Sequence, residues 1–204
     1  MRILRPLRKL RKRRRLENWK PSVFPPTRYN VAVSFRIRPF QKTDFDVLWR
    51  IDQACFDPQL AYSRVELAVY MRRPGSFTLV ADAAGVTGTE STEQGILGFV
   101  VAEARRKVGH IITIDVVSES RREGVGSALL DAAEDRLRQG GAEVVALETP
   151  VNNMAAIRFY KQKGYFVEKT APGYYSNQLD ALVMRKELVA APQESIAHKL
   201  RARS

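Results

Sequence analysis

The sequence predicts a mixed α/β fold built on one central sheet. Three observations carry this prediction: β-rich runs are grouped in the middle of the chain, amphipathic helices flank that group, and one strand-helix-strand unit follows it. The predicted order of elements is β-α-α-β-β-β-α-β-α-β-β. With 204 residues, 45% of them apolar, the chain is long enough for one domain with a substantial core.

The first half of the predicted domain is a strand, two helices and three strands. The first strand, near Val31 to Arg38, follows a Pro-rich linker. Helical spacing of apolar residues predicts a helix over 43–55, and Ser63 with Glu66 forms a capping box for a second helix that ends before Pro74. A change to β-rich runs predicts the next three strands, at 76–83, 96–104 and 111–117. The polar hairpin loop GVTGTESTEQG joins the first two of these strands.

The second half alternates helices and strands. A helix over roughly 125–138 has one apolar face and ends at Gly140-Gly141. The remaining elements are a strand at 144–148, a helix at 153–163 and two closing strands at 165–170 and 180–188. The unit from residue 111 to residue 148 is a β-α-β crossover, which brings a helix N-terminus to the carboxyl end of a strand, where open α/β sheets bind ligands.

Positive charge is concentrated at the two ends of the chain. Residues 1–20 hold ten Lys and Arg against Glu17, a net charge of +9, and residues 189–204 add +2. Residues 21–188 therefore carry +1 of the total of +12. We expect a basic, disordered extension and linker over 1–30, one folded domain over 31–188 and a basic tail over 189–204.

The basic head leaves several interpretations open. Its run Arg11–Arg15 could contact rRNA or another polyanion through phosphate attraction that does not depend on sequence. It could equally be a solubilising extension, an organellar presequence or an upstream stretch included by a misplaced start. Since no apolar run approaches the length of a membrane span, we expect a cytoplasmic protein without membrane contact.

The cysteine and histidine content argues against a thiol enzyme and against a zinc site. Cys55 is the single cysteine, so an internal disulfide is impossible, and its helical spacing predicts a buried core thiol. The two histidines of the chain are His110 and His198. We therefore expect no dedicated metal site.

The stretch ESRREGVGSALLDAAEDRL, residues 119–137, places two arginines and two glycines ahead of a helix. Gly124 and Gly126 allow a ligand to approach the backbone, and the helix dipole adds positive potential, so a diphosphate suits this position. The alternative is a tight βα turn with solvated arginines. The stretch lacks the Gly-Lys-Ser/Thr of a Walker A loop and the third glycine of a Rossmann fingerprint.

Residues downstream of this loop make the sequence resemble a known family. The loop combines with a set of further matching positions: Leu147-Glu148, Asn153, Ala155-Ala156-Ile157, Phe159-Tyr160, Lys163-Gly164-Tyr165, Tyr174-Tyr175 and Asp180-Ala181. Together they resemble the GNAT superfamily of acetyl-CoA-dependent N-acetyltransferases, and most closely the RimI-type enzymes that acetylate the N-terminus of a ribosomal protein. The resemblance covers about residues 34–188 and implies a GNAT fold, a mixed sheet of six to seven strands with flanking helices and one splayed pair of parallel strands.

The resemblance also implies where acetyl-CoA binds as the co-substrate. In this family the diphosphate lies on the amides of the loop, here Arg122 to Ser127, and the pantetheine arm pairs with the preceding strand. A backbone N–H, here that of Val116, donates a hydrogen bond to the acetyl oxygen. The implied cofactor-binding residues are Ile114, Asp115, Val116, Arg121, Arg122, Glu123, Gly124, Val125, Gly126, Ser127, Asn153 and Tyr160.

Two residues correspond to the catalytic pair of RimI-type enzymes. The resemblance makes Glu148 the base that accepts a proton from the amine, directly or through water, and Tyr160 the acid that protonates the leaving thiolate. Without the resemblance, Glu148 would be interpreted as a strand-end carboxylate and Tyr160 as a core aromatic residue. Asn153 could likewise cap its helix, contact the cofactor, or do both.

Some positions depart from the family pattern. Relatives often carry Pro and a large aromatic residue where this chain has Val117-Ser118-Glu119-Ser120, and Thr149-Pro150 replaces a more usual Val-Arg. The predicted acceptor is a protein N-terminus, such as that of a ribosomal protein. The alternatives are a small amine, an amino acid, an antibiotic or a lysine side chain, and, in another class, a nucleic-acid-associated scaffold that only binds CoA. The sequence does not specify an oligomeric state.

Overall fold

The computed structural model describes residues 34–83, 95–175 and 178–188. These residues form seven strands and four α-helices in the predicted order. Their bounds are β1 Phe35–Pro39, α1 Phe45–Cys55, α2 Arg64–Met71, β2 Ser76–Ala83, β3 Ile96–Arg105, β4 Val108–Val116, α3 Val125–Gln139, β5 Val144–Pro150, α4 Met154–Gln162, β6 Phe166–Tyr175 and β7 Leu179–Glu187. The basic head, nearly all of the predicted hairpin loop and the basic tail lie outside the described residues.

All the strands join one seven-stranded sheet in the order β1-β2-β3-β4-β5-β7-β6. Neighbouring strands are antiparallel except for β4 and β5, which are parallel and are connected through α3. Pairing between β4 and β5 runs from Val108↔Val144 to Ile111↔Leu147. Beyond that point β4 continues to pair with β3 as far as Val116, and β5 with β7 as far as Pro150. The two parallel strands therefore diverge, which confirms the predicted splayed pair.

Helices cover both faces of the sheet, and each face has its own apolar cluster. The larger cluster, under α3 and α4, includes Leu129, Leu130, Val145, Leu147 and Met184. The smaller cluster, under α1 and α2, is built on Leu48, Leu67, Phe99 and Val101. Successive residues of β3 contribute to opposite clusters, as the alternation of a strand requires.

Short-range signals position the helices that border the splay. The predicted capping box is present at α2, where Ser63 Oγ accepts from the Glu66 amide at 3.2 Å and the Ser63 amide donates to Glu66 Oε2 at 2.9 Å. At α4, Asn153 Oδ1 accepts a hydrogen bond from the amide of Ala156 at 3.1 Å. None of the helices in the described ranges is long and apolar enough to cross a bilayer.

Candidate active site

The divergence of β4 and β5 leaves backbone groups of β4 without a strand partner. The Val117 amide donates to Leu97 O at 3.0 Å, while Val116 is aligned with Gly98. Because hydrogen-bonded and non-bonded pairs alternate along an antiparallel ladder, the N–H and C=O of Val116 face away from β3 and towards the opening. The N–H of Val116 can therefore pair with an extended ligand, as the family resemblance implies for residues 114–116.

A histidine and a glutamate meet where β4 and β5 begin to diverge. His110 Nε2 lies 2.7 Å from Glu148 Oε2, and the two side chains are 33% and 17% exposed. His110 is aligned with Ala146, two residues before Glu148, so the two side chains are diagonal neighbours on one face of the sheet. An imidazole nitrogen and a carboxylate oxygen are therefore within hydrogen-bond distance at the point where the two parallel strands separate.

The environment of Glu148 favours its ionised form. Burial raises the pKa of this carboxyl, but the hydrogen bond from His110, a hydrogen bond from Tyr174 and the charge of Lys169 outweigh burial and leave the pKa below its usual value. Glu148 is therefore an anion at neutral pH, and it can attract an ammonium group and accept a hydrogen bond from it.

Tyrosine side chains line the α1 and α2 side of the opening. The rings of Tyr62 and Tyr70 lie 5.1 Å apart, and those of Tyr174 and Tyr175 lie 4.9 Å apart. Burial is the main reason that the pKa of Tyr62 is raised, with added contributions from the other three tyrosines. Burial, followed by the charge of Glu148, raises the pKa of both Tyr174 and Tyr175. The anionic Glu148 thus lies beside a group of neutral, partly apolar rings.

Tyr62 is fixed by the loop between α1 and α2. Its amide donates to Asp52 Oδ2 at 2.8 Å, and its carbonyl accepts from the indole of Trp49 at 3.2 Å. Its hydroxyl reaches the carbonyl of Ile112 at 3.5 Å, on the stretch of β4 that has left β5. One wall of the opening is therefore tied to both the helical layer and the sheet.

Tyr160 approaches the opening from the other face. It lies on α4, is 7% exposed, and its ring packs 5.2 Å from Phe159 and 5.7 Å from Tyr165. Burial, with the charge of Asp115 as the second cause, raises the pKa of Tyr160 well above the usual value. Tyr160 therefore retains its proton at neutral pH, as a general acid must.

Asp115 is a buried acid beside the β4 strand end. It is 1% exposed, and both of its carboxylate oxygens lie 3.2 Å from Thr113 Oγ1. Burial raises its pKa well above the usual value, and the nearby Asp52 raises it further. Asp115 thus adjoins the opening as a buried carboxyl group, with its side chain inside the fold.

The loop that precedes α3 leaves a helix N-terminus open. Gly124 is the N-cap residue, with φ of 84°, and no side chain caps the helix; its first turn also lacks an acidic residue. The amides of Val125, Gly126 and Ser127 therefore keep free donors, which the positive end of a 15-residue helix reinforces. Val125 is fully buried and holds this turn against the core.

Space is available at both glycines of the loop. A Cβ built on Gly124 would meet nothing within 4 Å, and one built on Gly126 would meet Val116 Cγ2 at 3.6 Å and Phe159 Cζ at 3.8 Å. The left-handed backbone of Gly124 favours glycine by itself, whereas at Gly126 protein packing does not require glycine and the close approach of a phosphate would. The loop therefore fits the diphosphate of acetyl-CoA, which supplies an activated acetyl thioester when it is bound. Glu123, Arg122 and Arg121 are exposed around this cradle.

Two predicted residues have structural contacts that the sequence did not specify. Arg121 Nε donates to the carbonyl of Val116 at 3.0 Å. Cys55, predicted to be a buried core thiol, is half-buried and lies beside the same strand end, with Sγ 3.4 Å from Val116 O. Its position at the end of α1, rather than in the middle of the helix, explains the incomplete burial. Burial still raises the pKa of this thiol.

The structure thus brings the predicted residues to one opening and adds others. Ile114, Asp115 and Val116 lie on β4, Glu148 on β5, Tyr160 on α4, and the loop residues at the start of α3. Tyr175 lies near both predicted catalytic residues, because electrostatic interactions with Glu148 and Tyr160 raise its pKa after the larger effect of burial. Sequence reasoning missed His110 and Tyr62. The one available signal was that His110 directly precedes the strand predicted at 111–117, which is parallel to that of Glu148.

No group of three or more His, Cys, Asp or Glu side chains that could hold a metal ion occurs in residues 34–83, 95–175 or 178–188.

Comparisons with known proteins agree with this geometry. The model of the acetyltransferase (GNAT) family matches residues 45–165. An N-alpha-acetyltransferase of Sulfurisphaera tokodaii is 30% identical over 158 residues, which cover 76% of this chain and 93% of that protein. An uncharacterised N-acetyltransferase of Methanocaldococcus jannaschii is also 30% identical, over 74% of this chain and 90% of that protein.

Solved structures show the same fold. The crystal structure of Ard1 from Thermoplasma volcanium superposes with a TM-score of 0.67 at 29% identity, covering 77% of this chain and 99% of Ard1. The ribosomal-protein-S18-alanine N-acetyltransferase of Escherichia coli superposes with a TM-score of 0.64 at 21% identity, covering 78% and 97%. With the open helix N-terminus and the splayed strands, these matches establish that the chain belongs to the GNAT acetyltransferase family and is an acetyl-CoA-dependent N-acetyltransferase.

Proposed function

We propose that this chain acetylates the N-terminal α-amino group of a protein acceptor. The observation that carries the proposal is the His110–Glu148 pair, 2.7 Å apart, at a mouth lined by tyrosines. An anion beside apolar ring faces suits a substrate that presents one cation next to a peptide chain and a side chain. Relatives named N-alpha-acetyltransferase, in Sulfurisphaera tokodaii and Schizosaccharomyces pombe, support the same acceptor class.

In this proposal the His110–Glu148 pair is the base. An α-amino group has a pKa of about 7.7 to 8.0, so most of it is protonated at neutral pH and must lose a proton before it can attack. The ionised Glu148 draws in the ammonium group, and the pair accepts its proton directly or through one water. His110 holds the carboxylate in place through the 2.7 Å contact of its Nε2 with Glu148 Oε2.

Tyr160 is the proposed acid, and β4 with the α3 loop holds the acetyl donor. Tyr160 keeps its proton through burial and delivers it to the departing thiolate. The amides from Arg122 to Ser127 would hold the diphosphate, and the backbone of 114–116 would hold the arm that carries the thioester. The amide of Val116, which faces the opening, would donate to the acetyl oxygen. Asn153 caps α4 next to this site, where it could also contact the donor.

We further propose that the acceptor is a ribosomal protein and that the enzyme acts in the cytoplasm. The basic run Arg11–Arg15 supports this, since it could hold the enzyme near rRNA. In this reading residues 31–188 are the catalytic domain, and 1–30 and 189–204 are basic extensions. Replacing the five basic residues of the run by Gln tests the idea: salt-sensitive binding to ribosomes should disappear while acetylation of free peptides remains.

The direct test is an acceptor screen followed by mass spectrometry. Peptides with free N-termini should gain one acetyl group on the α-amine, and the same peptides with a blocked N-terminus should gain none. Glu148→Gln should abolish most of the transfer, while exchange of the remote surface residue Glu143 to Gln should not. Equal acetylation of blocked peptides, free lysine or small amines would overturn the proposal. Comparing protein N-termini in the host with and without the enzyme then identifies the acceptor.

A further inference from the structure

The carbonyl of Val116 is held by side chains from two other parts of the chain. Arg121 Nε donates to it at 3.0 Å, and the thiol of Cys55 donates to it at 3.4 Å. Arg121 Nη2 in turn lies 3.5 Å from Cys55 Sγ. The last residue of β4, the last residue of α1 and the first arginine of the loop therefore meet at one point, called here the Val116 junction.

The junction fixes a peptide that the sheet holds by only one of its two groups. The peptide between Val116 and Val117 is bonded to β3 through the Val117 amide, which donates to Leu97 O at 3.0 Å. Its carbonyl points away from β3, where β5 has already diverged. Without a donor at that side, the hydrogen bond to β3 would be the one contact holding this peptide, and the end of β4 could rotate about it. Arg121 supplies that donor and a positive charge, which strengthens the bond.

The same side chain closes the loop back on the strand. Between them the chain makes one 3-10 turn, in which the Ser120 amide donates to Val117 O at 3.0 Å and the Arg121 amide donates to Ser118 O at 3.3 Å. The turn consists of Val117, Ser118, Glu119 and Ser120, none of which is proline or aromatic. The bond from Arg121 to Val116 thus connects the loop directly to the strand.

We propose that the side chain of Arg121 is a positioning residue for acetyl transfer, which fixes the Val116 end of β4 relative to the α3 loop, instead of a side chain that holds the donor's phosphates. This inference rests on the proposed function, because it assumes that Val116 faces the thioester and that the loop amides face the diphosphate. Arg121 sets the distance between these two binding regions. The backbone of Arg121 still belongs to the loop, but its guanidinium is directed at the protein.

Two acetyl donors separate the two roles of the side chain. Acetyl-CoA carries the diphosphate, whereas acetyl-pantetheine carries the same thioester and arm without it. Arg121→Met should lower kcat/KM by about tenfold with both donors, the cost of one hydrogen bond from a charged donor. Arg122→Gln, which removes a charge from the same loop, should lower it with acetyl-CoA alone. A loss in Arg121→Met that is confined to acetyl-CoA would overturn the proposal.

A measurement on the ligand-free protein tests the junction without turnover. Amide hydrogen exchange of the segment 114–117 should be at least about tenfold faster in Arg121→Met than in the wild-type chain and unchanged in Arg122→Gln. Unchanged exchange in Arg121→Met, with an unaltered thermal midpoint, would refute the role of Arg121. If the wild-type chain transferred no acetyl group, the proposed function would fail, while the exchange result would still report on the junction.

Discussion

The pair formed by His110 and Glu148 should act as one unit, and a double-mutant cycle tests this. The changes are His110→Gln, Glu148→Gln and the double variant. A hydrogen bond to a charged partner contributes about 1.5 to 3 kcal/mol, and the lower value applies here because the imidazole is one third exposed. A coupling of about 1.5 kcal/mol corresponds to a factor of about ten.

The kinetic expectation follows from that coupling. Each single variant should lower kcat/KM for a free peptide about 100-fold, because each removes part of a general base. Independent effects would multiply to about 10,000-fold in the double variant, whereas coupled residues should reach only about 1,000-fold. Rates are measured by thiol release at saturating acetyl-CoA, and CoA affinity is measured separately by calorimetry. Multiplicative losses would refute the assignment of the two residues to one base.

The chain contains a matched control for this cycle. Lys107 and Glu143 form a second ion pair, 2.6 Å apart, beside the starts of the same two strands and far from the splay. Both side chains are mostly exposed, so the pair should contribute little to stability or activity. The corresponding variants Lys107→Gln and Glu143→Gln should leave kcat/KM within about twofold of the wild type, with no coupling between them.

Three further predictions concern the other walls of the site. Tyr160→Phe should lower kcat about tenfold to a thousandfold with little change in CoA affinity, and a wild-type kcat in the variant would contradict its role as the acid. Because burial and then Asp115 raise the pKa of Tyr160, ionisation of this residue should not lower the wild-type rate at any pH up to about 10. Gly126→Ala should weaken CoA binding in calorimetry while leaving the thermal midpoint unchanged or higher, since the new methyl meets its nearest protein atom at 3.6 Å; a drop in the midpoint would show that packing, not the ligand, needs the glycine. Asn153→Ala should cost about 1 kcal/mol in denaturant unfolding through loss of the α4 cap, and Asn153→Ser should restore most of it; equal losses in both variants would reject the cap as the cause.

The elements of the fold could be predicted because their signals are local. Ser63 with Glu66 marks the start of α2, and the apolar face of α3 identifies its core side; both are confirmed. From its glycines alone the loop before α3 could be an anion site or a tight βα turn, and in the structure no side chain caps the helix that follows it. These features depend on residues within one or two helical turns of each other.

The partners within the site could not be predicted in the same way. His110 and Glu148 are 38 residues apart, and their contact depends on the register that aligns His110 with Ala146. A shift of one residue would send one of the two side chains to the opposite face of the sheet. The direction of the Arg121 guanidinium is likewise decided by the packing of α1, which brings Cys55 to the end of β4. The sequence pattern alone does not determine the register between two strands or the packing of α1 against β4.

The divergence of β4 and β5 has a consequence for the stability of the protein as a whole. A sheet with an internal gap contains a strand edge inside the molecule, and the arm of the acetyl donor is suited to fill that edge as an eighth, non-peptide strand. Unfolding of the enzyme is then linked to donor concentration: at a hundred times the dissociation constant the bound state gains about 2.7 kcal/mol. The thermal midpoint therefore rises with the fraction of molecules in which the donor arm occupies the gap. Mutations that filled the gap with protein side chains would stabilise the fold but would block the site of the reaction.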